Sequence, residues 1–472
     1  MEERKEIMEK AMKLPRKKRD VNMTEGNIFR HLITFAFPLL LGNIFQQLYN
    51  MVDTWVVGNY VSNEAFSAVG TVGPIINMLI GSFMGFSSGA GVVISQYYGA
   101  KNEEKVHDAV HTAITLTVIL SIVMTLIGIV ITPFMLRLMK TPENVFPESK
   151  AYLTIYFSGM AGLLFYNMGA GILRAIGDSR RPFIFLVVAA VTNIVLDLLF
   201  VLGFKMGVRG VALATILSQF ASAVLVVLCL LRTPSCVHLS VKDLRIHKDM
   251  LGKMVKVGIP AALQMAITAF SNVFVQSYIN QFGADCMSGW TAYAKIDQLV
   301  FMPMQSIALA STTFVGQNLG IGNVKRAKKG VNIAMLMAVT STAILSTIII
   351  TFAPQLVAFF NSKAEVVAYG ARFLTTLTPF YVLCCANQIY SGALRGAGNS
   401  RAPMIIMLSS FVVFRQLYLF VVSNFIINEI IPLAMSYPAG WLLCSTLTTV
   451  YFYRTNMSKS RLVSDAEVKG GK

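Results

Sequence analysis

The sequence carries little charge for its length. Only 13% of its 472 residues are charged, whereas soluble proteins of this size carry roughly 25%. Apolar runs such as 109–131 and 331–352 are long enough to cross a hydrocarbon core of about 30 Å as helices. Because lipid offers no hydrogen-bonding partner to the backbone, each run has to be helical. The composition therefore predicts an all-α integral membrane protein.

Signals for metal binding and catalysis are also missing. The six cysteines show no C-x-x-C spacing, and no Walker motif occurs in the chain. His107 and His111 have the spacing of a zinc pair, but Asp108 stands where the zinc-protease motif has glutamate, and no third ligand is evident. We therefore expect no metal, no cofactor and no enzymatic activity, and an ion gradient as the energy source. The charged amino terminus predicts no cleavable signal peptide.

The net charge of +17 reflects membrane orientation, because most of the 40 Lys and Arg residues fall in the tails and in loops on one side. We therefore predict no nucleic-acid partner, a multi-pass protein of the cell membrane, and both termini in the cytosol. Twelve spans are predicted near residues 30–57, 66–97, 108–132, 150–173, 182–204, 209–231, 251–281, 289–317, 330–353, 366–394, 403–427 and 431–453.

An internal repeat divides the chain. Leu173-Arg174-x-x-Gly177-x-Ser179-Arg180-x-Pro182 recurs 221 residues later as Leu394-Arg395-x-x-Gly398-x-Ser400-Arg401-x-Pro403. Gln96-x-x-Gly99-x-x-Asn102 recurs at the same offset as Gln317-x-x-Gly320-x-x-Asn323, and Pro38 recurs as Pro260. Six spans per copy predict two parallel repeats related by an axis along the membrane normal. The expected organisation is a basic cytosolic tail (1–27), an N-lobe (28–231), a cytosolic linker (232–250), a C-lobe (251–453) and a second cytosolic tail (454–472).

Two acids lie within the predicted spans of the N-lobe, where an aspartate costs roughly 2.5–3.5 kcal/mol on insertion scales. Asp197 has Asn193 one helical turn away. Asp53 belongs to a polar stripe at helical spacing, formed by Asn43, Gln46, Gln47, Asn50, Asp53 and Thr54. Carboxylates that face each other away from water suit a proton site, and the amide oxygens of Asn193 and Asn50 also suit Na⁺. The alternative is that Asp53 caps an outer helix end and faces solvent.

The C-lobe lacks these acids, since Tyr418 and Phe274 stand at the equivalent positions. We predict that its share of a substrate cleft is formed by Gln264, Thr268, Asn272, Gln276, Asp297 and Met302. The alternative is that the polar ladder on the seventh span joins helices together. Arg415 needs a buried partner, for which Asp297 is one candidate.

The repeated Leu-Arg-x-x-Gly-x-Ser-Arg-x-Pro motif, the Gln-x-x-Gly stretches and the early-span prolines resemble the multidrug and toxic compound extrusion (MATE) family. The resemblance implies two six-helix lobes around a V-shaped cleft, and export of cationic, amphipathic compounds in exchange for H⁺ or Na⁺. It implies an ion-coupling site in the first lobe and a first helix that bends near Pro38. The residues that match this site are Tyr49, Asn50, Asp53, Asn167, Asn193 and Asp197.

One branch of the family that the chain resembles has acids in spans seven and ten. Here the corresponding stretches, 272–277 and 384–387, contain none, which favours coupling in the N-lobe. We therefore predict a monomeric secondary antiporter that exports lipophilic cationic drugs or metabolites by alternating access, coupled to H⁺ or to Na⁺. A lipid-linked oligosaccharide flippase is the alternative; it needs cations in the cleft to hold pyrophosphate, and the candidates are Arg415 and Lys295. An intramembrane enzyme and a passive channel are less consistent with these features.

Overall fold

A computed structural model describes residues 22–468 of the chain, except residues 62 and 140. The described residues form helices and connecting loops, without a β-strand. We call the helices up to residue 232 the first half and those from residue 248 the second half.

The first half contains seven α-helices. They are α1 (Ile28–Tyr60), α2 (Asn63–Gly99), α3 (Glu103–Leu138), α4 (Phe146–Ser158), α5 (Met160–Ala175), α6 (Arg180–Leu198) and α7 (Gly207–Arg232). A π-helical segment, Leu199–Gly203, continues α6. The linker to the second half includes one 3₁₀ turn, Val241–Asp243.

The second half is divided more finely. It contains α8 (Lys248–Ile279), α9 (Ala284–Gly320), α10 (Val324–Thr351), α11 (Ala353–Phe360), α12 (Ala364–Leu377), α13 (Tyr381–Gly396), α14 (Arg401–Met407), α15 (Arg415–Val421), α16 (Ile430–Ala434) and α17 (Ser436–Arg454). Helices α14 and α15 belong to one continuous segment with π-helical stretches at Leu408–Phe414 and Val422–Ile426. The 3₁₀ turns are Asn280–Phe282, Thr378–Phe380, Met457–Ser460 and Asp465–Glu467.

Within the described residues, 10 helices are long and apolar enough to cross a membrane. The two other predicted spans correspond to α2, which has 37 residues, and to the pair α4 and α5. That pair is interrupted at Gly159, where a Cβ atom would overlap the Ile216 side chain of α7. The all-helical membrane fold predicted from composition is confirmed.

Each half has its own apolar core, but the two cores exchange their first helical turns. Leu32 and Phe35 at the start of α1 pack with the buried residues of the second half. Met254 and Val257 at the start of α8 pack with those of the first half. The halves are therefore interlocked at the end of the bundle where α1 and α8 begin.

Small residues bring the halves together along α2 and α8. A Cβ atom on Gly85 would overlap the backbone of Ala262, and one on Gly89 would meet Gly258 at 2.7 Å. Without these side chains the two helices approach backbone to backbone, as small residues allow in membrane bundles. We call the end of the bundle that carries residues 22–27, residues 455–468 and the loops 100–102, 176–179, 321–323 and 397–400 the tail face.

Candidate functional site

Asp53 and Asp197 lie side by side in the first half. Asp53 on α1 is 9% exposed and Asp197 on α6 is fully buried. Their carboxyl groups are close enough to share a hydrogen bond when one is protonated. Neither oxygen of Asp197 receives a hydrogen bond from another group that the structure describes. Asp53 thus does not cap a solvent-exposed helix end, and a bound cation would neutralise a pair of acids held away from water.

The backbone changes conformation directly after Asp197. Helix α6 passes into the π-helical segment Leu199–Gly203 two residues beyond this carboxylate. Single π-turns inserted in helices are frequently found at functional sites, because they redirect side chains and free a backbone carbonyl. No residue pattern in this segment predicts the π-helical turn.

Tyrosines surround the acid pair. Tyr49 on α1 and Tyr152 on α4 both lie close enough to the carboxyl groups to interact electrostatically with them. Tyr152 and Tyr156 are stacked, with ring centroids 6.3 Å apart, and their hydroxyl groups reach Thr215 and Gln219 on α7. Sequence reasoning identified Tyr49 but missed the residues of α4 and α7, whose only signal was an i, i+4 tyrosine pair.

A cavity of about 120 Å³ in the first half is lined by residues from Asn193, one turn from Asp197, to Arg174 near the tail face. Among its lining residues are four of the predicted site residues, namely Pro38, Tyr49, Asn167 and Asn193. Asn193 is 1% exposed, and neither atom of its amide group has a hydrogen-bond partner in the described structure. A buried amide without partners is costly unless water or an ion completes it, so the cavity offers a polar position one turn from Asp197.

Asn167 and Asn50 are placed differently. The amide of Asn167 donates to the Leu163 carbonyl at 2.9 Å, and its backbone carbonyl accepts from Ser87 at 2.8 Å, so Asn167 is fixed in the cavity wall. Asn50 is exposed and is not among the residues that line the cavity.

The polar stripe predicted on α1 contacts both halves. Gln46, Tyr49 and Asp53 turn toward the interior of the first half. Asn43, which also lines the cavity described above, and Gln47 reach the second half, where they donate to Ser306 and Gln298 of α9, each at 3.3 Å. At about 100° per residue the six polar positions fall within an arc of about 120°, so they form one stripe whose two edges meet different halves.

The polar ladder predicted on the seventh span is largely occupied by helix contacts. Asn272 accepts from the Arg415 guanidinium at 3.0 Å, and Gln264 donates to the sulfur of Met407. Gln276 donates to Asn280 in the 3₁₀ turn that follows α8. Thr268 donates to the Gln264 carbonyl within α8. Only the contacts of Gln264 and Asn272 therefore match the alternative in which the ladder joins helices.

Arg415 is 2% exposed and comes directly after the π-helical segment Leu408–Phe414. Asp197, in contrast, comes before the π-helical segment of its own half. Its guanidinium donates to the hydroxyl of Ser271 at 2.5 Å, to Asn272 and to the Phe411 carbonyl at 3.2 Å, and lies 4.7 Å from the Tyr437 ring centroid. The suggested partner Asp297 is not among these contacts. Neutral acceptors and an aromatic face therefore satisfy this cation.

Asp297 and Lys295 point to different sides of α9, as their spacing predicted. The Asp297 carboxyl lies beside the hydroxyl groups of Tyr293 and Tyr381 inside the second half. Lys295 is exposed on the same side as Gln298, the residue that contacts α1. Met302 is 6% exposed and packs within the bundle. The second half therefore presents an ammonium group, and not the carboxylate, toward the first half.

The two histidines rejected as a zinc site have a structural role. His107, His111 and Asp243 bring possible ligand atoms within 4.8 Å of one another. His111 is fully buried, with Nδ1 on the His107 carbonyl at 2.8 Å and Nε2 accepting from the Ser240 amide at 3.0 Å. Nδ1 thus bonds within α3, and Nε2 docks the linker on α3 through the Ser240 backbone.

The family model MatE matches the chain twice, at residues 38–199 and 260–421. The chain belongs to the MATE family. Each match begins at one of the repeated prolines, and the first contains both acids together with Asn167 and Asn193. The two-repeat architecture predicted from the sequence is confirmed.

Relatives of this MATE chain cover almost its full length. The probable multidrug resistance protein YoeA of Bacillus subtilis is 29% identical over 93% of this chain and 96% of its own length. The probable multidrug resistance protein NorM of Thermotoga maritima is 25% identical over 94% and 96%. A solved MATE structure in a bent conformation has a TM-score of 0.87 at 22% identity, covering 93% of this chain and 97% of its own. A multidrug resistance MATE transporter in an outward-facing conformation gives 0.86 at 23%, covering 92% and 97%.

Proposed function

We propose that this protein is a secondary antiporter that exports lipophilic cations from the cell in exchange for H⁺, with Na⁺ as the second candidate ion. The multidrug names of its full-length relatives support the substrate class. The observation that carries the coupling mechanism is the acid pair, Asp53 and Asp197, buried together beside a polar cavity. We place the protein in the cell membrane as a monomer with the tail face in the cytosol, because basic residues concentrate there.

The proposed cycle depends on neutralising that pair. A proton that enters from outside is shared between the two carboxyl groups and removes their mutual repulsion. Helix α1 can then rearrange near Pro38, which has no N–H to donate to the Thr34 carbonyl. The substrate leaves on the outer side, and the empty, protonated protein turns inward. Release of the proton to the cytosol restores the charged pair.

The amide group of Asn193 supports Na⁺ as the second candidate for the coupling ion. Na⁺ prefers several oxygen ligands, and the Asn193 amide oxygen stands one turn from Asp197 without a partner. A proton needs only the carboxyl groups. The two ions therefore differ in how strongly they depend on Asn193.

The flippase alternative is less well supported. Such a protein needs several cations available in the cleft to hold a pyrophosphate group. Arg415 is already surrounded by Ser271, Asn272 and aromatic rings, which leaves Lys295 as the exposed candidate of the two. One ammonium group is a weak site for a doubly charged headgroup.

The test is transport by purified protein in liposomes, with ethidium as the probe and the pH and Na⁺ gradients imposed separately. We expect efflux to follow the pH gradient and to collapse when a protonophore dissipates it. Efflux that follows only the Na⁺ gradient would assign Na⁺ instead. If neither gradient drives movement of the dye, the antiporter proposal fails.

A further inference from the structure

The two Gln-x-x-Gly stretches of the repeat meet each other on the tail face. A Cβ atom on Gly99 would overlap the Gln317 carbonyl oxygen, and one on Gly320 would overlap the Gln96 carbonyl oxygen. Each glycine thus gives the glutamine of the other half room to approach. This reciprocal contact explains why glutamine and glycine occur together in both copies of the motif.

Both glutamine side chains are fully buried and bridge the halves in the same way. Gln96 donates to the Gly396 carbonyl of the second half at 2.8 Å. Gln317 donates to the Ala175 carbonyl of the first half at 2.9 Å. Ala175 and Gly396 are themselves equivalent positions of the repeat, 221 residues apart. The contact therefore has two-fold pseudosymmetry.

The acceptor oxygen of each glutamine holds a terminal segment. The backbone N–H of Met23 donates to Gln317 at 2.9 Å, and the backbone N–H of Leu462 donates to Gln96 at 2.8 Å. The segment before α1 continues into the first half but docks on the second. The segment after α17 comes from the second half but docks on the first. We call residues 22–27 the N-strap and residues 455–468 the C-strap.

Further contacts fix the N-strap. Met23 is fully buried in the apolar core of the second half. Its carbonyl accepts from Asn318 at 3.2 Å, and the Arg326 guanidinium donates to the carbonyls of Glu25 and Gly26, each at 2.8 Å.

The C-strap is fixed by a comparable set of contacts. Leu462 and Val463 are buried in the core of the first half. Glu467 accepts from the Tyr97 hydroxyl at 2.9 Å, and its backbone carbonyl accepts from Asn102 at 2.8 Å. The Arg461 guanidinium donates to the Gly320 carbonyl at 2.7 Å and so returns to the second half.

We propose that Gln96 and Gln317 are positioning residues of the transport cycle, forming a symmetric latch that couples the docking of both straps to closure of the tail face. Each side chain bonds to the opposite half and also to a strap whose chain continues into that opposite half. Separation of the halves therefore breaks the first bond and pulls the strap away from the second. Strap docking and closure are therefore one cooperative event, and the straps stabilise the conformation closed on this side.

The latch rests on the proposed alternating access, but its test measures the separation of the halves and not transport. Spin labels at Glu103→Cys and Lys328→Cys, both exposed on the tail face, report the distance between the halves in liposomes. Cys229 and Cys236, which are only half-buried, are replaced by alanine; the other four cysteines are buried. The variants are Gln96→Leu, Gln317→Leu, a chain that ends at Thr455, and Gln96→Leu in that shortened chain. Gln355→Leu, an exposed glutamine on α11, is the matched control.

We expect Gln96→Leu, Gln317→Leu and the shortened chain each to raise the ratio of open to closed molecules about tenfold, in line with the loss of one or two buried hydrogen bonds. Gln96→Leu should have a smaller effect in the shortened chain, because the strap bond is already gone and only the bond to the Gly396 carbonyl remains to be lost. Thermal unfolding of each variant establishes that the helices remain folded. Unchanged distances would overturn the latch, and so would fully additive effects of Gln96→Leu and strap removal. Failure of ion-driven dye transport with shifted distances would overturn only the proposed function.

Discussion

Asn193 lies one helical turn before Asp197 on α6, and neither its amide atoms nor the Asp197 oxygens have a partner outside the acid pair. An amide and a carboxyl group left without protein partners in the same buried region would be completed by a bound cation or by water. This relationship carries the first prediction.

Asp197→Asn should reduce ion-driven efflux at least about tenfold while the protein still folds, because an amide cannot take up the coupling proton. Asp53→Asn should have the same effect, and the double variant should be no worse than either single one, since the two acids act as a unit. Transport in liposomes and thermal unfolding in detergent measure the two quantities. Asp285→Asn is the control, because this acid is paired with Lys363 at 2.7 Å, at the end of the bundle that lies away from the tail face. Normal efflux by Asp197→Asn would refute the assignment.

Gly99→Ala and Gly320→Ala should prevent the tail face from closing, because the added methyl group overlaps a backbone carbonyl of the other half. Such overlap cannot be relieved by turning a side chain, so we expect efflux to fall strongly while each half stays folded. Labelling of a cysteine placed in the cavity, by a reagent applied from the tail face, should become faster. Gly252→Ala is the control, since nothing lies within 4 Å of a Cβ atom there and alanine favours helix. Equal labelling of all three variants would contradict the prediction.

Lys295→Gln should improve export of singly charged cations relative to zwitterions by a few-fold. The exposed ammonium group on the α1-facing side of α9 repels a cation in the cleft and attracts a carboxylate. Competition between ethidium and a zwitterionic fluoroquinolone in the liposome assay measures this preference. Lys295→Arg, which keeps the charge, should behave like the original protein. Identical preferences in the Gln and Arg variants would show that Lys295 does not face the substrate.

Arg415→Met should lower the stability of the second half by about 1–3 kcal/mol, because Ser271 and Asn272 lose a charged donor in a buried position. Thermal unfolding in detergent measures the loss, and Gln355→Met serves as an exposed control. A variant that unfolds normally yet fails to transport would give Arg415 a role in the substrate path instead.

Docking of the C-strap should weaken in acid. Burial raises the pKa of Glu467, but hydrogen bonds from Ser464 and Tyr97 and the charge of Lys253 lower it overall, below its usual 4.5. A lowered pKa stabilises the docked strap above the usual value, and this stabilisation is lost as the pH falls through the lower folded value. The mobility of a spin label at Lys459→Cys should therefore rise below about pH 4. In the Glu467→Gln variant the label should be mobile already at pH 7, and an unchanged mobility in that variant would contradict the prediction.

The sequence predicted the features that depend on composition and local spacing. Apolar run lengths predicted the helices, and the nearly equal offsets at which Pro38, Gln96 and Leu173 recur, 222, 221 and 221 residues, predicted the two halves. The rarity of Asp53 and Asp197 in apolar surroundings singled them out, and the structure brings them together. These signals are local, because the cost of burying charge or leaving lipid-exposed backbone unpaired constrains each helix separately.

What the sequence could not predict depends on how helices rotate against one another. Tyr152 and Thr215 reach the acid pair from α4 and α7, and nothing in their own segments distinguishes them from packing residues. The division of the α1 stripe followed from the positions of both neighbours of α1. The use of Gln96 and Gln317 was equally hidden, because their partners are backbone groups that lie far away along the chain.

The crossing of the two Gln-x-x-Gly stretches has the geometry of an isologous interface, in which the same patch on two bodies complements itself. A single six-span half carries one complete copy of that patch. It would therefore contact a separate second half through the same Gln-x-x-Gly crossing. The linker between residues 232 and 248 then mainly raises the local concentration of one half around the other, and the contact itself directs their assembly. Two polypeptides divided within this loop and synthesised together should find each other in the bilayer and rebuild the working carrier.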